Sequence, residues 1–146
     1  MHVLICDDDA AFGARMADYI HDYFEARSVQ LQTVVCTGAA EALRTPYLEL
    51  YQLAFLDVDM PGTNGIALGR ELKQRSPDIR LVYVSAYLEF APEGYTVNAY
   101  RYLLKRDIAR MLPKCLDDLL AAFTDQHRTL TVHHNRATSE IPLYQI

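Results

Sequence analysis

The feature that most constrains this chain is an alternation: five short apolar runs, each followed by a helical pattern, between His2 and Asp125. His2-Val3-Leu4-Ile5-Cys6 reads as a buried strand, and Phe12, Met16, Ile20 and Phe24 then recur every four residues along one helix face. Val29 to Cys36 is a second strand, with a helix expected from Gly38 to about Leu50. Leu53-Ala54-Phe55-Leu56 is a third strand, and the helix from Gly65 to Arg75 stops at Ser76-Pro77. Leu81 to Val84 is a fourth strand, and a weaker helix falls between Tyr87 and Tyr95, disturbed by Pro92. Tyr100 to Leu104 is a fifth strand, followed by a helix from about Asp107 to Asp125.

Five strand–helix pairs with short connections imply an α/β fold, a parallel sheet covered on both faces by helices. Right-handed crossovers leave few topologies, and ligands then sit at the carboxyl ends of the strands. After Thr124 the pattern changes. Leu130 and Val132 alternate with threonines, His133 to Arg136 reads as a turn, and Ile141 to Tyr144 as extended chain, so a hairpin is expected. The chain stops at Ile146 within an apolar segment, which points to a longer protein cut short.

The strand ends carry the chemistry. Asp7, Asp8 and Asp9 follow the first strand, and Asp57 follows the third. In a parallel sheet ordered 2-1-3-4-5 these strands are neighbours, which sets Asp7 and Asp8 beside Asp57. Packed carboxylates repel and raise one another's pKa unless a cation intervenes, and hard oxygen ligands with room for water favour Mg2+. Asp9 suits a helix N-cap. Ser85 ends strand four and Lys105 ends strand five, a hydroxyl donor and a mobile positive charge able to meet phosphoryl oxygens.

The bulk properties exclude several other classes. Half of the chain is hydrophobic and 23% is charged, enough apolar mass for a packed core. The net charge of −5 and the lack of clustered Lys and Arg leave no nucleic-acid grip in this stretch. Cys6, Cys36 and Cys115 are an odd, scattered set, unlike a disulfide framework or zinc site, and suit a reducing cytoplasm. His127, His133 and His134 have no carboxylate or cysteine at ligand spacing. No apolar run reaches the roughly 20 residues of a membrane span, so a soluble, cytoplasmic protein without membrane contact is expected.

Over residues 1–124 the chain resembles response-regulator receiver domains, which are CheY-like. The resemblance is carried by Ile5-Cys6-Asp7-Asp8-Asp9, by Leu56-Asp57-Val58-Asp59-Met60-Pro61-Gly62 with Gly65, by Val84-Ser85-Ala86, and by Tyr102-Leu103-Leu104-Lys105. It implies a flavodoxin-like (βα)5 doubly wound sheet of order 2-1-3-4-5. It further implies that Asp57 is the phosphoacceptor for a sensor histidine kinase. Asp8, Asp57 and the backbone carbonyl of Asp59 would bind Mg2+ directly, and Asp7 through water. Ser85 and Lys105 would hold the phosphoryl group, and Tyr102 would act with Ser85 as the conformational switch. A tyrosine on an apolar strand serves equally as core, and both readings stand at this point. Arg106 replaces the proline that usually follows this lysine, so a trans Lys105–Arg106 bond or a rearranged loop is expected, with Lys105 still reaching the site.

The stretch from Tyr83 to Lys105 is similar to receivers joined to LytTR-type DNA-binding domains, and residues 125–146 would then be a linker and the opening strands of such a domain. The resemblance implies a transcription regulator that binds DNA only through a part absent from this chain. Tyr83, Tyr87, Phe90, Tyr95, Tyr100 and Tyr102 concentrate aromatic mass near the expected switch, some of it exposed, which points to a homodimer formed on phosphorylation. The main alternative is a haloacid-dehalogenase-type phosphatase using Asp57-Val58-Asp59. Against it, that motif normally ends a first strand, and Met60-Pro61-Gly62 and the lack of a cap domain disfavour turnover. A flavin carrier is disfavoured because three carboxylates sit where its phosphate loop would be. A stand-alone receiver remains the other alternative.

Overall fold

The computed structural model describes residues 1–87 and 98–137, with residue 63 and residues 125–137 given as backbone only. Its sheet contains β1 (His2–Cys6), β2 (Gln32–Cys36), β3 (Leu53–Asp57), β4 (Arg80–Ser85) and β5 (Arg101–Leu104). Neighbouring strands are parallel and lie in the order β2-β1-β3-β4-β5, the doubly wound flavodoxin-like arrangement.

The helices follow from local signals. Helix α1 (Ala10–Glu25) starts where the Asp9 carboxylate accepts the Phe12 N–H at 3.1 Å, as an N-cap should. It buries Met16, Ile20 and Phe24 of the expected stripe together with Gly13, Ala17 and Tyr23, while Phe12 is only partly buried. Helix α3 (Gly65–Arg75) is capped by Asn64, which accepts the Ala67 N–H at 2.8 Å, and places Lys73 and Arg75 in its last turn, where cations favour the dipole. Even-numbered residues of β1, Leu4 and Cys6, share a core with Ala42, Ile66, Leu68 and Leu72 from α2 (Ala39–Leu43) and α3. Gly13 of α1 lies against Val35 and Asp7, on the opposite face. The sheet is thus flanked on both sides.

Three expectations need correction. Helix α2 ends at Leu43, and Leu48–Leu50 forms only a short 3-10 turn. Pro46 disfavours helical backbone at Thr45 and lacks an N–H, and Tyr47 turns left-handed at φ 58°. Strand β2 starts at Gln32, not Val29, after Ser28 adopts φ 63°. The last helix, α4, runs Ile108–Ala137, so Leu130, Val132 and His133 to Arg136 are helical and do not form a hairpin. Neither Gly nor Pro interrupts residues 115–137, and elongating a formed helix costs far less than nucleating a new element.

By its packing the chain divides into two compact units, 1–109 and 110–146, and the sheet with α1, α2 and α3 belongs to the first. In the second, Leu112, Cys115, Leu116, Leu119 and Phe123 keep three-and-four spacing and are buried. The weak helix expected between Tyr87 and Tyr95 and the extended run from Ile141 fall largely or wholly outside the described residues.

Candidate functional site

Parallel pairing brings the ends of β1, β3, β4 and β5 to one edge of the sheet. Cys6 pairs with Leu56, Asp57 with Val84, and Ser85 with Leu104, so Asp7, Asp57, Ser85 and Lys105 emerge at neighbouring strand ends. Asp7, Asp8 and Asp57 each offer a carboxylate oxygen within 4.8 Å of the others. Asp7 and Asp57 are buried, while Asp8 is exposed.

The two buried carboxylates are each held by the loop that follows them. Asp7 Oδ1 accepts the Asp9 N–H at 2.8 Å, and the Asp7 N–H donates to the Cys36 carbonyl at 3.0 Å. Asp57 Oδ1 accepts the Asp59 N–H at 3.3 Å. The loop after Asp57 is closed by a two-residue ladder, Asp59–Met60 against Thr63–Asn64, whose turn needs Gly62 at φ 79°. Helix α3 closes onto the same loop, with the Gly65 N–H donating to the Val58 carbonyl at 2.9 Å.

Lys105 reaches the carboxylates from the first residue of a 3-10 turn, Lys105–Asp107, one place beyond the end of β5. Its Nζ lies 2.9 Å from Asp7 Oδ2 and 3.4 Å from Asp57 Oδ2. No cis peptide bond occurs among the described residues, so Lys105–Arg106 is trans as expected. Burial, reinforced by the Asp7 charge and only partly opposed by Lys105, pushes Asp57 up to about 7. Burial alone would lower the Lys105 ammonium, but its hydrogen bond to Asp7 and the two carboxylate charges outweigh it and hold the pKa above the ordinary lysine value. The cup is short of positive charge, and its donors are hard carboxylate oxygens. That set suits a small divalent cation such as Mg2+.

Ser85 is fully buried, and its Oγ accepts the Tyr87 N–H at 3.0 Å. Tyr102 is buried, and its hydroxyl donates to the Tyr87 carbonyl at 2.7 Å. Ser85 and Tyr102 therefore both engage the backbone of Tyr87, whose own side chain is exposed. Asp59 is exposed on the loop, and only its N–H is seen to engage the cup.

One neighbour was not read as part of the site from sequence. The Lys105 Nζ lies 4.6 Å from the ring centroid of Phe12, which looked only like the first residue of the α1 core stripe. The available signal was its place in the first turn after the acidic triplet, on the side of α1 that begins beside the strand ends.

A family model described as the response regulator receiver domain matches residues 3–116. The chain is 32% identical over 143 residues to an uncharacterized response regulatory protein of Shewanella oneidensis, covering 97% of this chain and 57% of that protein. It is 29% identical over 105 residues to the sensory transduction protein LytT of Enterococcus faecalis, covering 72% of this chain and 42% of that one. Its fold is similar to that of response regulator protein TrrA from Thermotoga maritima, solved in complex with Mg2+-BeF. The TM-score is 0.60 at 20% identity, over 81% of this chain and 97% of that one. The chain spans about half the length of the two relatives.

Proposed function

Because this chain belongs to the response regulator receiver family, we propose that it takes a phosphoryl group from a sensor histidine kinase onto the carboxylate of Asp57. The observation that carries the reading is the meeting of Asp7, Asp8 and Asp57 within 4.8 Å with the Lys105 ammonium set against two of them.

An Asp57 oxygen attacks phosphorus, the phosphorus–nitrogen bond to the donor imidazole breaks, and the leaving nitrogen keeps the electron pair and is protonated. Asp8, Asp57 and the Asp59 carbonyl would hold Mg2+, with Asp7 acting through water. When bound, the ion would offset the charge of the carboxylates and of the incoming phosphoryl oxygens. Lys105, already between Asp7 and Asp57, turns its N–H donors to a phosphoryl oxygen once Asp57 carries the acyl phosphate. The Ser85 hydroxyl, which accepts from Tyr87 N–H, keeps its own proton to donate. Any shift of Ser85 toward the phosphoryl group pulls on the Tyr87 backbone that also holds Tyr102, and so links site to switch. The same groups would later admit water for slow self-dephosphorylation.

The output proposed is transcriptional, through a LytTR-type DNA-binding part beyond this chain, in the cytoplasm, with a homodimer favoured on phosphorylation. The likeness to LytT and the half-length coverage of relatives support it. The exposed Tyr87 ring beside the Ser85 loop supplies an aromatic anchor for the dimer.

The deciding experiment is incubation with Mg2+ and a small acyl phosphate, followed by intact mass. One phosphoryl group should appear on the native chain and none on Asp57→Asn. Equal labelling of both chains, or rapid multiple turnover of a phosphomonoester, would sink the proposal.

A further inference from the structure

A lysine ammonium on four rotatable bonds is a poorly placed charge unless something restricts it. Here the restriction is a closed circuit of contacts. Asp7 Oδ1 accepts the Asp9 N–H, Asp9 Oδ1 accepts the Phe12 N–H, the Phe12 ring lies 4.6 Å from Lys105 Nζ, and Lys105 Nζ returns to Asp7 Oδ2 at 2.9 Å. The ammonium thus has two carboxylates and an aromatic ring among its neighbours. We propose that Phe12 is a positioning residue for Lys105, holding the ammonium over Asp57 through the face of its ring and not through bulk alone.

The physical basis is the ring quadrupole, whose negative face attracts a cation within about 6 Å, most strongly where water is partly excluded. Lys105 meets that condition, since only 23% of its side chain is exposed. Arg15, on the same helix, stands farther from the ring at 5.9 Å. The N-cap makes the placement reliable, because Asp9 fixes the first turn of α1 from which Phe12 projects. The ring should count most when the ammonium turns from Asp7 toward a group forming on Asp57, because it keeps the charge in the cup during that turn. This inference rests on the phosphoacceptor role proposed for Asp57.

The test uses the full chain with Phe12→Leu, Phe12→Tyr and Phe12→Trp, each also combined with Lys105→Ala. Phosphorylation by a small acyl phosphate with Mg2+ should slow roughly 3- to 10-fold in Phe12→Leu, which corresponds to about 0.6–1.4 kcal/mol of lost attraction. The rate should return in Phe12→Tyr or Phe12→Trp, and Phe12→Leu should have no further effect once Lys105 is Ala. A structural role alone would give equal losses in all three variants and the same loss in the Lys105→Ala background, and either pattern overturns the proposal. A second readout is independent of phosphorylation: the Lys105 Hε protons should show an upfield ring-current shift that Phe12→Leu removes. If the native chain takes no phosphoryl group but the shift is present, the function proposed for Asp57 fails while the contact stands. If the shift is absent, the inference fails.

Discussion

Gly65 lies so close to the backbone carbonyl of Asp57 that a Cβ at position 65 would collide with it and reach the Val58 Cα at 3.1 Å. Helix α3 can therefore begin against the Asp57 loop only because its first residue has no side chain. Gly65→Ala should gain up to about 1 kcal/mol of helix propensity, yet the backbone clash should outweigh it. A net loss of about 1–3 kcal/mol is expected in denaturant unfolding, together with displaced Asp57 and Asp59 amide resonances and slower phosphorylation.

Tyr83 and Tyr102 lie side by side with ring centroids 6.4 Å apart, yet their hydroxyls differ. The Tyr83 hydroxyl is fully buried against Gly69 and has no hydrogen-bond partner among the described residues. The Tyr102 hydroxyl bonds to the Tyr87 carbonyl. Tyr83→Phe should thus raise stability by about 1 kcal/mol, since it removes a buried polar group that gains nothing. Tyr102→Phe should lower stability by a similar amount. The midpoints of urea unfolding check both, and a loss in Tyr83→Phe would show that the hydroxyl has a partner after all.

The pH dependence follows from Asp57. Its folded pKa of about 7 exceeds the ordinary value of 3.8, so the folded state holds this proton more tightly than the unfolded chain. The resulting stability is fully present below about 4 and is lost as pH rises through 7. In chelator, the native chain should lose on the order of 1–3 kcal/mol from this group between pH 4 and 8, and Asp57→Asn should lack that slope. Mg2+ should restore stability to the native chain at pH 8 and do much less for Asp57→Asn. Thermal unfolding with and without the ion would show it.

The N-cap offers a separate check on α1. Asp9→Ala removes the acceptor for the Phe12 N–H and should cost about 1 kcal/mol. It should also weaken the Lys105 ring-current shift, because the first turn then frays beneath Phe12. Asp9→Asn, which keeps an acceptor oxygen, should retain both.

Much of this molecule was legible because it is local. The apolar runs gave β1 its observed limits, α3 runs over the expected residues, Asp9 stands at its cap, and the acidic residues fall at strand ends where a parallel sheet collects them. The departures from expectation also have local causes. Pro46 cut α2 short, and a breaker-free segment let α4 run through threonines that looked like a strand.

What the amino-acid order determined by itself was the period of the segments from β1 to α3, the Asp9 cap and the strand end at which each polar residue would emerge, because those depend on neighbours within a few positions. Tertiary packing alone decided the distances across the cup: the Lys105 ammonium between Asp7, Asp57 and the Phe12 ring, the bare backbone of Gly65 against the Asp57 carbonyl, and the buried hydroxyl of Tyr83 beside Gly69. These contacts join residues from 8 to 98 positions apart in the chain. Their energies arise from burial, excluded volume and charge in three dimensions, and no local pattern encodes them.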